Sequence, residues 1–455
     1  MPKNLLFFLV IVISFSIISN NTEVSLVQDT KSINIELSDN EYWSKTWGTA
    51  ANEWASSIAV DSMDNIFIGS YTTNTENGTH DICLLKYNNS GNYEWNQTWG
   101  GEWEENVLDM VIDSSDNIFL TGYTISYGAG SFDICLLKFN NSGQLEWFKT
   151  YGGSGTDIGW GIAIDYLDNV YVSGQFDDGD ESDAILIKVD NDGNFLWNYT
   201  YSHSKHASAN AIAVKDEGVG AVYLAISKPP LATTDNVLSD IIVIKLDKFG
   251  LYEDNFTWGG PFLDMALDIE YYDQYVYLAG MSWNPTTLHD MCLIIIEDTL
   301  WIDHMELEQN HTIGGPGNDM AYDLAFSLPM NAGESFLYLV GGTQSAYFED
   351  YDVYQVWYDQ TGPGRFYEYK WGGTEDEFAE GVALDSSGNV FISGGTWSYG
   401  SGFRDVFLIK NLQDKTLQEI ILIPGYEINH LFYFATIIVL FIVITSRHKS
   451  YSIRG

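Results

Sequence analysis

Arginine is almost missing from this chain: of 455 residues only four are arginine, and Arg447 and Arg454 lie at the C-terminal end, leaving Arg365 and Arg404 for the body. Planar, bidentate capture of phosphates or carboxylates is thinly provided for. Lys and Arg together number 20 against 63 Asp and Glu, a formal net charge of −43. The counterion term that drives nucleic-acid binding therefore has the wrong sign, which excludes nucleic acid as a partner. Proline is scarce too, at nine residues, and no low-complexity tract occurs; with 45% apolar residues the chain is a folded one. Only three cysteines are present, and no CxxC, HExxH, GxSxG or P-loop spacing accompanies them.

What the chain has is repetition. DICLLKYNNSGNYEW at 81–95 returns as DICLLKFNNSGQLEW at 133–147. The aspartate that opens this run recurs as Asp81, Asp133, Asp183, Asp240, Asp290, Asp352 and Asp405, at spacings of 52, 50, 57, 50, 62 and 53. Each unit carries a Gly-Gly turn or its relic (TWGGEWEEN, TYGGSGTDI, KWGGTEDEF) and an AxD segment leading into a run such as DNIFIGSYT. Short β-branched and aromatic runs between Asn/Asp/Gly/Ser turns give four strands per unit, and no long helical pattern interrupts them. Seven such units predict an all-β chain, a seven-bladed β-propeller of four-stranded antiparallel blades over residues 41–413. A β-helix or an open array of sandwiches is the competing arrangement. The seventh unit stops at DVFLIKNLQ without an outer strand, while EYWSKTWG at 41–48 has the form of EWNQTWG at 94–100. The N-terminal strand is predicted to close the ring.

The ends differ in kind from the middle. Lys3 and the apolar run Leu5–Ile18 read as a signal peptide over 1–20, followed by a linker over 21–40. After a short linker over 414–427, residues 428–446 read as a transmembrane helix or sorting anchor, and 447–455 as a basic cytoplasmic tail. The body is expected outside the cell, held to the membrane by its C-terminal segment.

The ordered motifs W-x-x-T-[WY]-G-G, A-x-D-x-x-[DG]-N-[VI]-[FY] and D-x-x-L-x-K resemble the prokaryotic seven-bladed β-propeller repeat family called SBBP. That resemblance implies an extracellular propeller used for binding or display, with no particular reaction. The ending IPGYEI, apolar run and basic tail is similar to archaeal surface-protein sorting signals.

Three sets of candidate residues follow. Four residues after the second Gly position stand Glu53, Glu105, Asp157, Asp264, Asp319 and Glu377, with Ala207 in the fourth unit. A ring of carboxylates at one channel mouth suits a hard cation such as Ca²⁺, and the competing reading has each side chain bonding its own Gly-rich turn. No other cofactor is implied. The fourth unit departs most from the pattern, and His203, Lys205, His206 and Lys215 there predict a cationic patch for an anionic glycan or acidic protein loop. The sequons at Asn77, Asn88, Asn96, Asn140, Asn198, Asn255 and Asn310 are usable glycosylation sites on an exported chain.

Recurrent residues are best explained by the fold. The marker aspartates belong to strand entries, Trp95, Trp147 and Trp197 to packing between blades, and the cysteines, at one repeat position in three blades, to the core. The inner strands read mostly small and apolar, with Asp109, Asp323 and Glu380 too few to make a convincing site. The sequence therefore favours a monomeric, non-enzymatic binding or adhesion propeller at the cell surface, recognising a protein or glycan. The alternative is a secreted glycan-active hydrolase or lyase with its site at the channel mouth.

Overall fold

The computed structural model describes residues 43–411, apart from 74–77, 178, 180, 203–205, 217, 219, 228–239, 300–303, 328–334, 345–349 and 360–364. It also describes the backbone of a hairpin, Glu23–Gln28 with Lys31–Glu36, where the sequence predicted a linker. The predicted signal peptide, C-terminal span and basic tail lie outside the described residues. Among those described, no helix is long and apolar enough to cross a membrane.

Seven four-stranded antiparallel sheets form the blades of a β-propeller. Blade one runs through Glu53–Val60, Ile66–Thr73, His80–Tyr87 and Tyr93–Trp99, from the channel outward. The inner strands of blades two to seven are Glu105–Ile112, Ile158–Ile164, Ser208–Lys215, Asp264–Tyr272, Asp319–Phe326 and Glu377–Leu384. Second and third strands are buried on both faces between neighbouring blades, which is why they read as unbroken apolar runs such as Ile134–Leu137. The upper face carries the Gly-Gly turns and the loops between second and third strands. The lower face carries the tight turns between first and second and between third and fourth strands.

The ring closes as predicted. Trp43–Trp47 pairs antiparallel with Asp405–Asn411 and becomes the outer strand of blade seven, removing two open sheet edges. A second closure lies on the lower face, where Ser62 bonds Asp116 of blade two, Ser114 bonds Asp168 of blade three, and Ser386 of blade seven bonds Asp64 of blade one at 2.8 Å and 2.9 Å.

The repeat motifs have local physical causes. A methyl group on Gly100, Gly259 or Gly372 would overlap the marker aspartate of the preceding unit, Asp81, Asp240 or Asp352, so the first glycine of the turn exists to admit that carboxylate. Where blade four breaks the pattern, Ser202 takes the glycine's place and donates to Asp183 at 2.9 Å. The left-handed hairpin glycines Gly91, Gly143, Gly193 and Gly250 sit on Trp43, Trp95, Trp147 and Trp197 of the adjoining blade. Those tryptophans are blade-to-blade packing, as the sequence reading held. Cys83, Cys135 and Cys292 are free and buried.

Trp43 is the point where strand closure and packing meet, since it also contacts Phe391 with ring centroids 6.0 Å apart. Trp43→Ala is expected to lower the unfolding free energy by about 2–3 kcal/mol in urea titration. An unchanged midpoint would show that the closing strand adds nothing to the ring.

Candidate functional site

The six predicted ring carboxylates do not converge. All are buried, and each accepts from the turn four residues upstream: Glu105 from Gly101 N at 2.8 Å, Asp157 from Gly153 N at 2.7 Å, Asp264 from Gly260 N at 2.9 Å, Asp319 from Gly315 N at 2.7 Å and Glu377 from Gly373 N at 2.7 Å. Glu53 does the same with Thr49, at 3.1 Å to its N and 2.6 Å to its hydroxyl. Thr124 and Thr396 fill further lone pairs on Glu105 and Glu377, both at 2.8 Å. Burial raises Asp157 and Asp319 above the usual carboxylate range, against the pull of these N–H donors. The geometry is that of turn anchors. Among the described residues no group of three or more His, Cys, Asp or Glu side chains is arranged to hold a metal ion.

The blade-four residues are not brought together either. His203 and Lys205 lie outside the described residues, and His206 is exposed on the upper face with φ of 59°. Lys215 ends the inner strand Ser208–Lys215 on the lower face, and that strand alone spans roughly 23 Å at the rise of an extended chain. There it pairs with Asp298 of blade five at 3.6 Å and covers the Tyr271 ring at 4.6 Å. Of the sequons, Asn77 lies outside the described residues, and Asn88 and Asn140 cap hairpin turns through their side-chain oxygens. Asn96, Asn198, Asn255 and Asn310 share one register position on the outer strands, the last three exposed.

The inner strands hold what the sequence reading passed over. Every one carries a bulge at its third or fourth residue, which frees a backbone N–H toward the neighbouring blade. In three blades the residue after the bulge is aspartate, and it spans to that N–H. Asp109 accepts from Ile162 N at 2.9 Å, Asp268 from Leu324 N at 2.9 Å, and Asp323 from Val382 N at 2.6 Å. These side chains line the lumen and are half-buried among the converging inner strands, so their charged forms are less well solvated than at the outer surface. Burial, then the Asp268 charge, pushes Asp109 up to about 7. Glu270 is exposed to the lumen, and its confinement there together with the same charge raises it above the usual carboxylate range. Asp268 and Asp323 are both raised by burial, and Asp323 keeps the proton and donates to Asp268.

The lumen opens upward into a cavity of about 930 Å³ whose wall includes Trp54, Tyr71, Tyr322, Glu380 and Arg404. Here blades seven, one and two meet. Arg404, in the loop before the third strand of blade seven, donates to the Tyr71 hydroxyl at 3.3 Å and lies over Trp397 and Trp54, 4.7 Å and 5.6 Å from their centroids. Its backbone oxygen accepts from Glu53 N at 3.1 Å, which fixes the loop. Among the described residues no carboxylate lies within ion-pair distance of the guanidinium, although the chain carries 63 acidic residues. His80 stacks on Tyr71 at 4.3 Å and faces Glu104 at 3.6 Å, and Tyr123 donates to Glu104 at 3.2 Å. Burial raises Glu380 to about 7 against a hydrogen bond from Trp54, and burial raises Tyr71 against the Arg404 charge. Trp103 and Phe403, 60% and 80% exposed, stand on loops beside this cluster.

Arg404 and His80 share a repeat position, immediately before the marker aspartate. That position is His, Phe, Ser, Ser, His, Tyr and Arg in blades one to seven, and this variability beside an invariant neighbour was the available signal.

No family model and no curated protein matches the sequence, so the SBBP resemblance rests on its motifs. Solved structures do match. The polysaccharide lyase Uly1 is 11% identical, with a TM-score of 0.48 over 81% of this chain and 92% of its own. An ulvan lyase bound to -[GlcA(1-4)Rha3S]- is 11% identical, with a TM-score of 0.48 over 83% and 99%. The phage phi92 endosialidase is 8% identical, with a TM-score of 0.44 over 88% and 73%. The non-enzymatic binding propeller favoured by the sequence is corrected at the site itself: the lumen and mouth hold Arg404, Tyr71, His80 and five raised carboxyls where three isolated acids were counted.

The lumen acids make stability depend on pH. Their folded pKa values lie above the unfolded values near 4, so the folded state binds more protons, and their contribution is present below about pH 4 and lost as pH rises through 7–8. Asp109→Asn keeps an oxygen for Ile162 N and removes the charge. The melting temperature of the variant relative to the parent is expected to rise steadily from pH 4 to pH 7 and to level off by pH 9. A constant difference across that range would remove Asp109 from this account.

Proposed function

We propose that the chain is a glycan-cleaving enzyme acting on a uronic-acid-containing polysaccharide at the upper mouth of the channel. The observation that carries this reading is Arg404, a guanidinium with no acidic partner among the described residues, flanked by two indoles and bonded to a tyrosine hydroxyl. A sugar carboxylate is the group that arrangement fits, through paired charge-assisted hydrogen bonds, while Trp54 and Trp397 offer flat apolar faces to the ring. Exposed Trp103 and Phe403 extend that surface along a chain of sugars.

Neutralising the carboxylate acidifies the adjacent C5 proton, which sets up elimination. Glu380, poised at about 7, takes that proton; the C5 electron pair forms the C4=C5 double bond, the C4–O bond breaks, and the Tyr71 hydroxyl gives its proton to the leaving oxygen. His80 and Glu104 hold the Tyr71 ring in place. The net charge of −43 opposes an anionic polymer at long range, and screening relieves it, so KM is expected to fall as salt rises. Export and surface anchoring through residues 428–446 remain the reading of the two apolar ends.

The full chain is to be assayed against a panel of polyuronates, following ultraviolet absorbance of the unsaturated product. Arg404→Ala is expected to raise KM at least tenfold, and Glu380→Gln to lower kcat by about 10²–10⁴. The parent kcat/KM should rise with pH through about 7 as Glu380 loses its proton. New reducing ends without absorbance would make the reaction hydrolysis, and no cleavage of any polyuronate would overturn the proposal.

A further inference from the structure

The lower face has a feature that the repeat does not require. In blades one and two the hairpins between third and fourth strands are Asn88-Asn89-Ser90-Gly91-Asn92 and Asn140-Asn141-Ser142-Gly143-Gln144. In blade four the same five positions are Asp247-Lys248-Phe249-Gly250-Leu251, with Phe249 and Leu251 both 67% exposed. The inner turn changes in the same way, from Asp113-Ser114-Ser115-Asp116 in blade two to Asp165-Tyr166-Leu167-Asp168 in blade three, where Tyr166 and Leu167 are 68% and 63% exposed.

These side chains belong to one surface. Asp216 of blade four bonds the Tyr166 backbone, Lys248 lies against Gly220 of the neighbouring turn, and Gly250 sits on Trp197, beside the exposed Phe195 and Leu196 of blade three. Together they expose on the order of several hundred Å² of apolar surface, more than scattered surface residues account for. The substitutions also run against the local trend, since the equivalent turns of blades one, two and seven carry mainly Ser, Asn, Gly and Asp.

The position of the chain ends identifies what covers it. Trp43 pairs with Lys410, and Asn411 with Val390, so the chain enters and leaves the propeller on this same lower face. The attachment points of the two chain ends that carry the long apolar runs, Leu5–Ile18 and Leu431–Thr445, thus lie on the face that carries the patch. We infer that the lower rim of blades three and four rests in a lipid bilayer, inserting Tyr166, Leu167, Phe249 and Leu251 at the headgroup boundary and turning the upper mouth away from the membrane. Aspartates such as Asp113, Asp165 and Asp190 border the patch; burial opposes their ionisation, but hydrogen bonds from Asn191, Asn169 and Asn194 outweigh it and hold all three below the usual range. The surface thus suits zwitterionic lipid and is repelled by anionic lipid at low salt.

Thiol labelling tests this, because Cys83, Cys135 and Cys292 are buried and burial pushes the Cys83 thiol up to about 12 and the other two higher. Leu167→Cys and Ser387→Cys occupy one repeat position on opposite sides of the ring. With the full chain reconstituted into phosphatidylcholine vesicles, a membrane-impermeant maleimide is expected to label Leu167→Cys at least tenfold more slowly than Ser387→Cys. Adding Phe249→Ser and Leu251→Asn, residues that blade one carries at these positions, should abolish the difference, and so should phosphatidylglycerol vesicles at low salt. Equal rates in phosphatidylcholine would overturn the inference. Protection that vanishes as the lipid-to-protein ratio is raised would overturn it too, and would assign the patch to a second copy of the chain.

Discussion

The pairing of Trp43–Trp47 with Asp405–Asn411 is the contact on which the remainder depends. It joins segments more than 350 residues apart and turns seven blades, each packed only on its neighbours, into a closed ring. The mouth cluster lies across that seam. Arg404 comes from blade seven, Tyr71 and His80 from blade one, and Glu104 and Tyr123 from blade two. The same closure that removes two sheet edges thus brings together residues that no single blade contains.

Polar side chains carry the blade-to-blade contacts wherever apolar packing cannot reach. Buried Lys86 of blade one donates to Asn141 of blade two at 2.7 Å, and Asn141 donates back to Asp61 of blade one at 2.9 Å. On the lumen side, Asp109, Asp268 and Asp323 span the freed N–H groups of the next inner strand. The two sets respond to pH in opposite senses. Hydrogen bonds that outweigh burial keep Asp61 low, so its contribution holds at neutral pH and fails in acid, whereas the lumen acids are comfortable only when protonated. The lumen is accordingly the part of the ring under electrostatic stress at neutral pH, and it borders the mouth where proton transfer is proposed.

The blades were legible because they repeat. One unit fixes four strands, its turns fix their order, and the Gly-Gly turn is readable since the marker aspartate occupies the space a side chain would take. Even the seam was visible, in the missing outer strand of the last unit. The mouth was not, for the converse reason: repetition draws attention to Glu53, Glu105 and their equivalents, whose recurrence marks them as turn anchors. Chemistry at the centre of a propeller comes from positions that differ between blades. His80 and Arg404 occupy such a position, and Asp268 and Glu270 stand in an inner strand whose acids the repeat pattern does not single out. The blade-four cations illustrate a second limit. Departures from pattern are real there, but strand direction puts His206 and Lys215 on opposite faces, which only the topology reveals.

The proposed substrate site is the junction of blades seven, one and two. A structure of the full chain with a bound oligouronate tests it most directly. It should show a sugar carboxylate on the Arg404 guanidinium, with the ring against Trp54 or Trp397 and its C5 within reach of Glu380. Sugar found instead on the outer-strand tryptophans or at the lower rim, with Arg404 still bonded only to Tyr71, would contradict it.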